Sequence, residues 1–130
     1  MAGRVLRYGA GEKIIEAGKV ERRMYIILDG SVEISLSDGK NAIRVATLKK
    51  GDFFGEISLF NSSPRSANAA AITDVAVAYL DNLQDLKTFL MKNPSFSAKM
   101  VHILAQRLAK TDEILIGKIS ELGRAQLIGK

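Results

Sequence analysis

One stretch of the 130-residue chain gathers the residue types needed to hold an anion beside a hydroxyl: Gly51-Asp52-Phe53-Phe54-Gly55-Glu56-Ile57-Ser58-Leu59-Phe60-Asn61-Ser62-Ser63-Pro64-Arg65-Ser66-Ala67. Gly55 lets the backbone approach a ligand closely. Glu56 to Phe60 can form one helical turn whose free amides face an anion. Arg65 brings a planar fork of donors matched to phosphate oxygens. A carboxylate repels phosphate, so Glu56 makes sense there if it accepts hydrogen bonds from a hydroxyl, and a ribose 2′-OH is such a donor. The two side chains would then read a sugar and its phosphate together. The plainer alternative is an ion pair between them at a turn, which stabilises little when exposed.

Other chemistries lack their parts. The chain has no cysteine, which removes disulfides, thiolate catalysis and thiol-rich metal sites. His102 is the single histidine, so neither haem nor a metal-binding cupin finds enough ligands. Ser62, Ser63 and Asp52 form with it no set of nucleophile, base and orienter. No catalysis and no metal are expected. The net charge is +5, but the basic residues are scattered among acids, with only Arg22-Arg23 and Lys49-Lys50 adjacent, so charge alone does not indicate nucleic acid. The longest apolar run, Val75 to Leu80, is far short of the roughly 20 residues that cross a bilayer. The opening Met1-Ala2-Gly3-Arg4 lacks the apolar stretch of a secretory signal, so the expected compartment is the cytoplasm.

The elements that must position Glu56 and Arg65 fall into two kinds. From about residue 12 to 80 the chain alternates short β-type runs with glycine-centred turns: Lys13 to Ile15, Met24 to Leu28, Val32 to Leu36, Ala42 to Leu48, Ser66 to Ile72 and Val75 to Leu80, broken at Gly18, Gly30, Gly39 and Gly51. Antiparallel strands at this spacing suggest a small barrel or jelly roll. After Asp81 the apolar spacing becomes helical. Leu83, Leu86, Phe89 and Leu90 predict a helix over about 82–93, and Pro94 opens a second, long one over about 95–122. That second helix carries Val101, Leu108, Leu115 and Leu122 at intervals of seven, with Leu104, Thr111 and Lys118 beside them and Gly117 a weak point. Such a seam either packs on the chain's own roll or pairs with a second copy. The length favours pairing, since a helix of about 28 residues runs about 42 Å.

Gly55-Glu56-Ile57-Ser58-Leu59 followed by Pro64-Arg65-Ser66-Ala67 resembles the phosphate-binding cassette of cyclic nucleotide-binding domains. The likeness extends upstream through Gly30, Gly51 and Asp52-Phe53 and downstream through both helices. It implies one domain over residues 1–130, mainly β with C-terminal helices: an eight-stranded β-roll of jelly-roll type, capped by helices and ending in the long one. By the same likeness Glu56 takes the ribose 2′-OH and Arg65 the cyclic phosphate. Gly55, Ile57, Ser58, Ser66 and Ala67 would add backbone donors, and Ile34 and Val45 would line the base pocket. The stretch Gln106 to Asp112 is similar to the helix segment with which bacterial transcription-activating members meet adenine through a Thr-Ser pair. Thr111 matches that threonine, whereas Asp112 stands in place of the serine. A carboxylate accepts from the exocyclic amine of adenine and repels the keto oxygen of guanine, which favours cyclic AMP over cyclic GMP.

The expected function is therefore a cyclic AMP sensor that converts occupancy of the roll into repositioning of the C-terminal helix, with a homodimer formed along that helix. Bacterial members of the family usually continue into a DNA-reading module, for which the eight residues after Leu122 leave no room. Direct DNA binding is thus not expected, and output would pass to an effector protein or a missing output domain. The alternative is a degenerate β-roll that has lost its ligand and serves as a dimerisation or docking module.

Overall fold

The structure, a computed structural model, describes residues 4–37, 41–60, 65 and 67–110. Among the described residues, eight strands and two short helices run in the order β1 (Val5–Tyr8), β2 (Lys13–Ile15), β3 (Met24–Asp29), β4 (Ser31–Ser37), β5 (Ala42–Lys49), β6 (Phe53–Phe54), α1 (Ile57–Phe60), β7 (Asn68–Ala71), β8 (Val75–Leu80) and α2 (Leu83–Lys92). Residues 94–110 are also helical. Gly39, Ser66, Thr111, Asp112 and the expected continuation of the long helix to 122 lie outside the described residues.

The strands form two antiparallel four-stranded sheets, ordered β1-β8-β3-β6 and β2-β7-β4-β5. The pairs β1–β8, β2–β7, β3–β6 and β4–β5 are those of one long hairpin rolled up on itself, which is the jelly-roll arrangement the turn spacing suggested. Tight turns at Gly18, Gly30 and Gly51 all carry positive φ, near +90°. At Gly30 no other residue would do, since a Cβ there would lie 2.3 Å from the Asp74 carbonyl oxygen.

Alternation along the strands separates two apolar layers. Between the sheets lie Ile14, Ile15, Tyr25, Ile27, Val32, Phe54, Ala69, Ala71, Val75 and Val77. The alternate residues of β3, β6 and β8, namely Met24, Ile26, Phe53, Ala78 and Leu80, are buried as well, so that sheet carries apolar contacts on both faces. Leu59 of α1 and Leu86 of α2 share that burial.

The roll starts earlier than the β-type pattern indicated. β1 lies ahead of the glycine-marked region, where four residues flanked by Arg4 and Gly9 give too short a signal, and its pairing with β8 makes it a strand. β6 is two residues long and buried inside the motif itself. The described chain divides into two compact units, one from the roll through Phe89 and one beginning at Leu90. In the second, Pro94 stands at the first helical position, where a missing N–H costs nothing. Val101, Leu104 and Leu108 of the seam are exposed.

Candidate functional site

Arg65 is held from both ends. Its amide donates to the Lys19 carbonyl and its own carbonyl accepts from the Gly18 amide, both at 2.8 Å, which fastens it to the turn after β2. Its side chain is 5% exposed. Nη1 donates to the Gly55 carbonyl at 3.1 Å and Nη2 to the Arg23 carbonyl at 2.5 Å. Nη2 also lies 3.6 Å from Glu21 Oε1, an ion pair beyond hydrogen-bonding distance. Nε is buried and, among the described residues, has no acceptor. A buried guanidinium N–H left unmatched is costly, and it fits a site in which an anion supplies the missing oxygen.

Gly55 makes this packing feasible. Its φ is +80°, and a Cβ there would lie 2.8 Å from Arg65 Nη1 and 3.0 Å from the Arg23 carbonyl oxygen. The chain then turns into α1, as the sequence suggested, with the Ser58 amide donating to the Gly55 carbonyl and the Leu59 amide to that of Glu56. Arg22 Nη2 donates to the Leu59 carbonyl at 3.2 Å and closes the C-terminal end of that turn. Glu56 and Ser58 are buried, whereas Ile57 is exposed. The structure thus brings Gly55 against Arg65 in the first compact unit, with Glu56 and Ser58 buried in the helical stretch that follows Gly55, and Ala67, half-buried, follows just before β7. Ser66, Thr111 and Asp112 are not described.

A charged network continues from the same place. The Arg23 side chain lies over the Tyr79 ring at 4.2 Å and its Nε donates to Asp81 Oδ1 at 3.0 Å. Asp81 also pairs with Arg4 at 3.4 Å, and Arg4 Nη1 donates to Asp85 in the first turn of α2. Asn82 Oδ1 caps that helix by accepting from the Asp85 amide at 2.8 Å. Burial comes first among the influences on Tyr25, followed by its hydrogen bond to Glu21, and both push its phenol well above the usual range. Glu21 and Arg23 were not singled out from the sequence. They sit in a polar stretch between strands with no pattern, and only the fold carries them to Arg65.

The residues expected to line a base fall on an apolar row of β4 and β5. Ile34 packs against the inner core and stands opposite Ala69 and Ala46. Strand alternation puts Val32, Ile34 and Leu36 on this inner face, together with their partners Leu48, Ala46 and Ile43. Exposure rises along it, from Val32 at 0% to Leu36 at 45% and Ile43 at 61%. Val45 does not occupy a paired position. Ile34 pairs with Ala46 and Ser35 with Arg44, so Val45 is the extra residue of a β-bulge and is half exposed. The register therefore sets Ile43, two residues earlier, opposite Leu36. A bulge inverts the alternation beyond it, which a reading by period two does not detect.

Among the described residues, no three His, Asp or Glu side chains gather as a metal would need, and no helix is long and apolar enough to cross a membrane.

This jelly roll, with its glycine-arginine cassette, defines the class: the chain belongs to the cyclic nucleotide-binding domain family, whose model matches residues 5–93. It is 31% identical over 107 residues to a "CRP-like cAMP-activated global transcriptional regulator" of Mycobacterium tuberculosis, covering 81% of this chain and 47% of that protein. It is 40% identical over 74 residues to a "cAMP-dependent protein kinase regulatory subunit" of Colletotrichum orbiculare, covering 57% of this chain and 18% of the subunit. Among solved structures, the Thermus thermophilus catabolite activator protein superposes with a TM-score of 0.72 at 28% identity, covering 85% of this chain and 52% of that one. The chain spans about half the length of the bacterial relatives and less than a fifth of the fungal one.

Proposed function

We propose that the chain is a cyclic AMP sensor in which Arg65 takes the cyclic phosphate. The observation that carries this reading is the Arg65 side chain, buried beside Gly55 with two nitrogens matched to main-chain carbonyls and Nε without an acceptor among the described residues. A phosphate oxygen at Nε gains a charge-assisted hydrogen bond and removes an orphaned donor in one step. Glu56 accepts from the ribose 2′-OH, and Ile57, Ser58, Ser66 and Ala67 add main-chain donors. The base lies along the apolar wall of Ile34, Leu36 and Ile43, with Val45 at the bulge beside it. Thr111 and Asp112 meet its edge from the long helix, where Asp112 favours the exocyclic amine of adenine over the keto oxygen of guanine.

Occupancy becomes a signal if the ligand binds one arrangement of the C-terminal helix better than another, since equal affinity shifts nothing. We take the site of action to be the cytoplasm. The exposed seam of Val101, Leu104 and Leu108 pairs with a second copy, and output passes to an effector protein or a further domain. The chain itself performs no catalysis.

Calorimetric titration with cyclic AMP and cyclic GMP, alongside thermal melting, tests the reading. Cyclic AMP binds more tightly and raises the melting temperature, because a ligand that binds only the folded state stabilises it. A flat response to both nucleotides refutes the sensor and leaves the docking module. Sedimentation with and without nucleotide tests the dimer.

A further inference from the structure

We propose that Glu21 is the internal counter-ion of Arg65 and that it sets nucleotide affinity by competing with the cyclic phosphate for the guanidinium. This rests on the cyclic AMP reading above and adds a residue that the cassette motif does not contain.

Arg65 is charged and almost wholly buried, and a buried cation needs a compensating anion nearby. Glu21 supplies one at 3.6 Å from Nη2. The same oxygen, Oε1, accepts the Tyr25 hydroxyl at 2.8 Å, and Tyr25 is in turn fixed by stacking on Phe54 with ring centroids 5.1 Å apart. Tyr25 thus holds the carboxylate within Coulombic reach of Arg65 but short of a direct hydrogen bond. Glu21 keeps 35% of its side chain exposed, so water can take over its charge when another anion arrives. Because Nη1 and Nη2 are tied to main-chain carbonyls, the guanidinium stays in place while its counter-ion changes. Phosphate and Glu21 are then two anions around one cation, and each weakens the hold of the other.

The consequence is an opposed pair of effects that a merely structural residue would not produce. Glu21→Gln keeps the hydrogen-bond acceptor for Tyr25 and removes the charge. The ligand-free protein melts earlier, because Arg65 loses its compensation, while cyclic AMP binds about tenfold more tightly, because the competing charge is gone. Tyr25→Phe, which frees Oε1 to close on Arg65, moves affinity the other way, weakening it about threefold. Calorimetry with cyclic AMP on the wild-type chain and both variants, with melting curves in the absence of nucleotide, reads both effects. An E21Q affinity equal to or weaker than wild type overturns the role of Glu21 while leaving the sensor intact. A wild-type chain that takes up no cyclic AMP instead overturns the sensor reading and this inference with it.

Discussion

Around Arg65 nearly every polar group is committed: the backbone to the Gly18–Lys19 turn, two guanidinium nitrogens to carbonyls, and the neighbouring glycine to a conformation with no space for a side chain. Along β4 and β5 the opposite holds, with apolar side chains passing from the sealed core at Val32 to open exposure at Leu36 and Ile43. A charged ligand group gains most from donors fixed in advance, because reorienting them on binding would consume the interaction. An apolar group needs only surface that it can cover, in rough proportion to area. On the proposed function, the Arg65 region is therefore finished before a ligand arrives, and the β4–β5 row would be completed by one.

The contrast is broken most directly at the finished end. Arg65→Ala should raise the Kd for cyclic AMP about a hundredfold in calorimetry, and Arg65→Lys should restore little, because a point charge cannot reproduce the fork. An unchanged Kd would remove Arg65 from the site. Gly55→Ala comes next. A Cβ within 2.8 Å of Nη1, at a φ of +80°, should cost about 2 kcal/mol in denaturant unfolding and loosen Arg65 as well. A matched pair then sharpens the comparison along one row of side chains. Val32→Ala, deep in the core, should destabilise the fold by about 2 kcal/mol. Ile43→Ala should leave stability within about 0.5 kcal/mol and raise the Kd for cyclic AMP several-fold, by about 1 kcal/mol of lost apolar cover. If Ile43→Ala unfolds the protein as readily as Val32→Ala, the row is ordinary core. Smallest of all, Val45→Ala should alter affinity less than Ile43→Ala, since the bulge removes it from the paired row.

The same contrast separates what could be read from the sequence from what could not. The cassette is contiguous, and its demands are local: a glycine where φ is positive, one helical turn, and an arginine a few residues on. Its residue types therefore announced it. The turns at Gly18, Gly30 and Gly51 were legible for the same reason, as was the helix opening at Pro94. The apolar row depends on strand register, which a single extra residue at Val45 changes, so the sequence could place Ile34 on the inner face but not Ile43. Glu21 and Arg23 were missed because their importance comes from contact with a residue more than forty positions away, and nothing in their own neighbourhood marks it.

The nested pairing of the roll, with Val5 opposite Ala78 and Lys13 opposite Ala70, also bears on how the protein comes into being. Its outermost strands join segments from opposite ends of the roll's sequence, and closing such long loops slows folding. During synthesis, the grip on Arg65 waits for its own emergence long after Gly18 and Lys19 have left the ribosome, and the enclosing sheet waits longer, for β8. On the proposed function, nucleotide recognition would then be among the last properties the nascent chain acquires, and a partly made copy would have no means of holding the nucleotide.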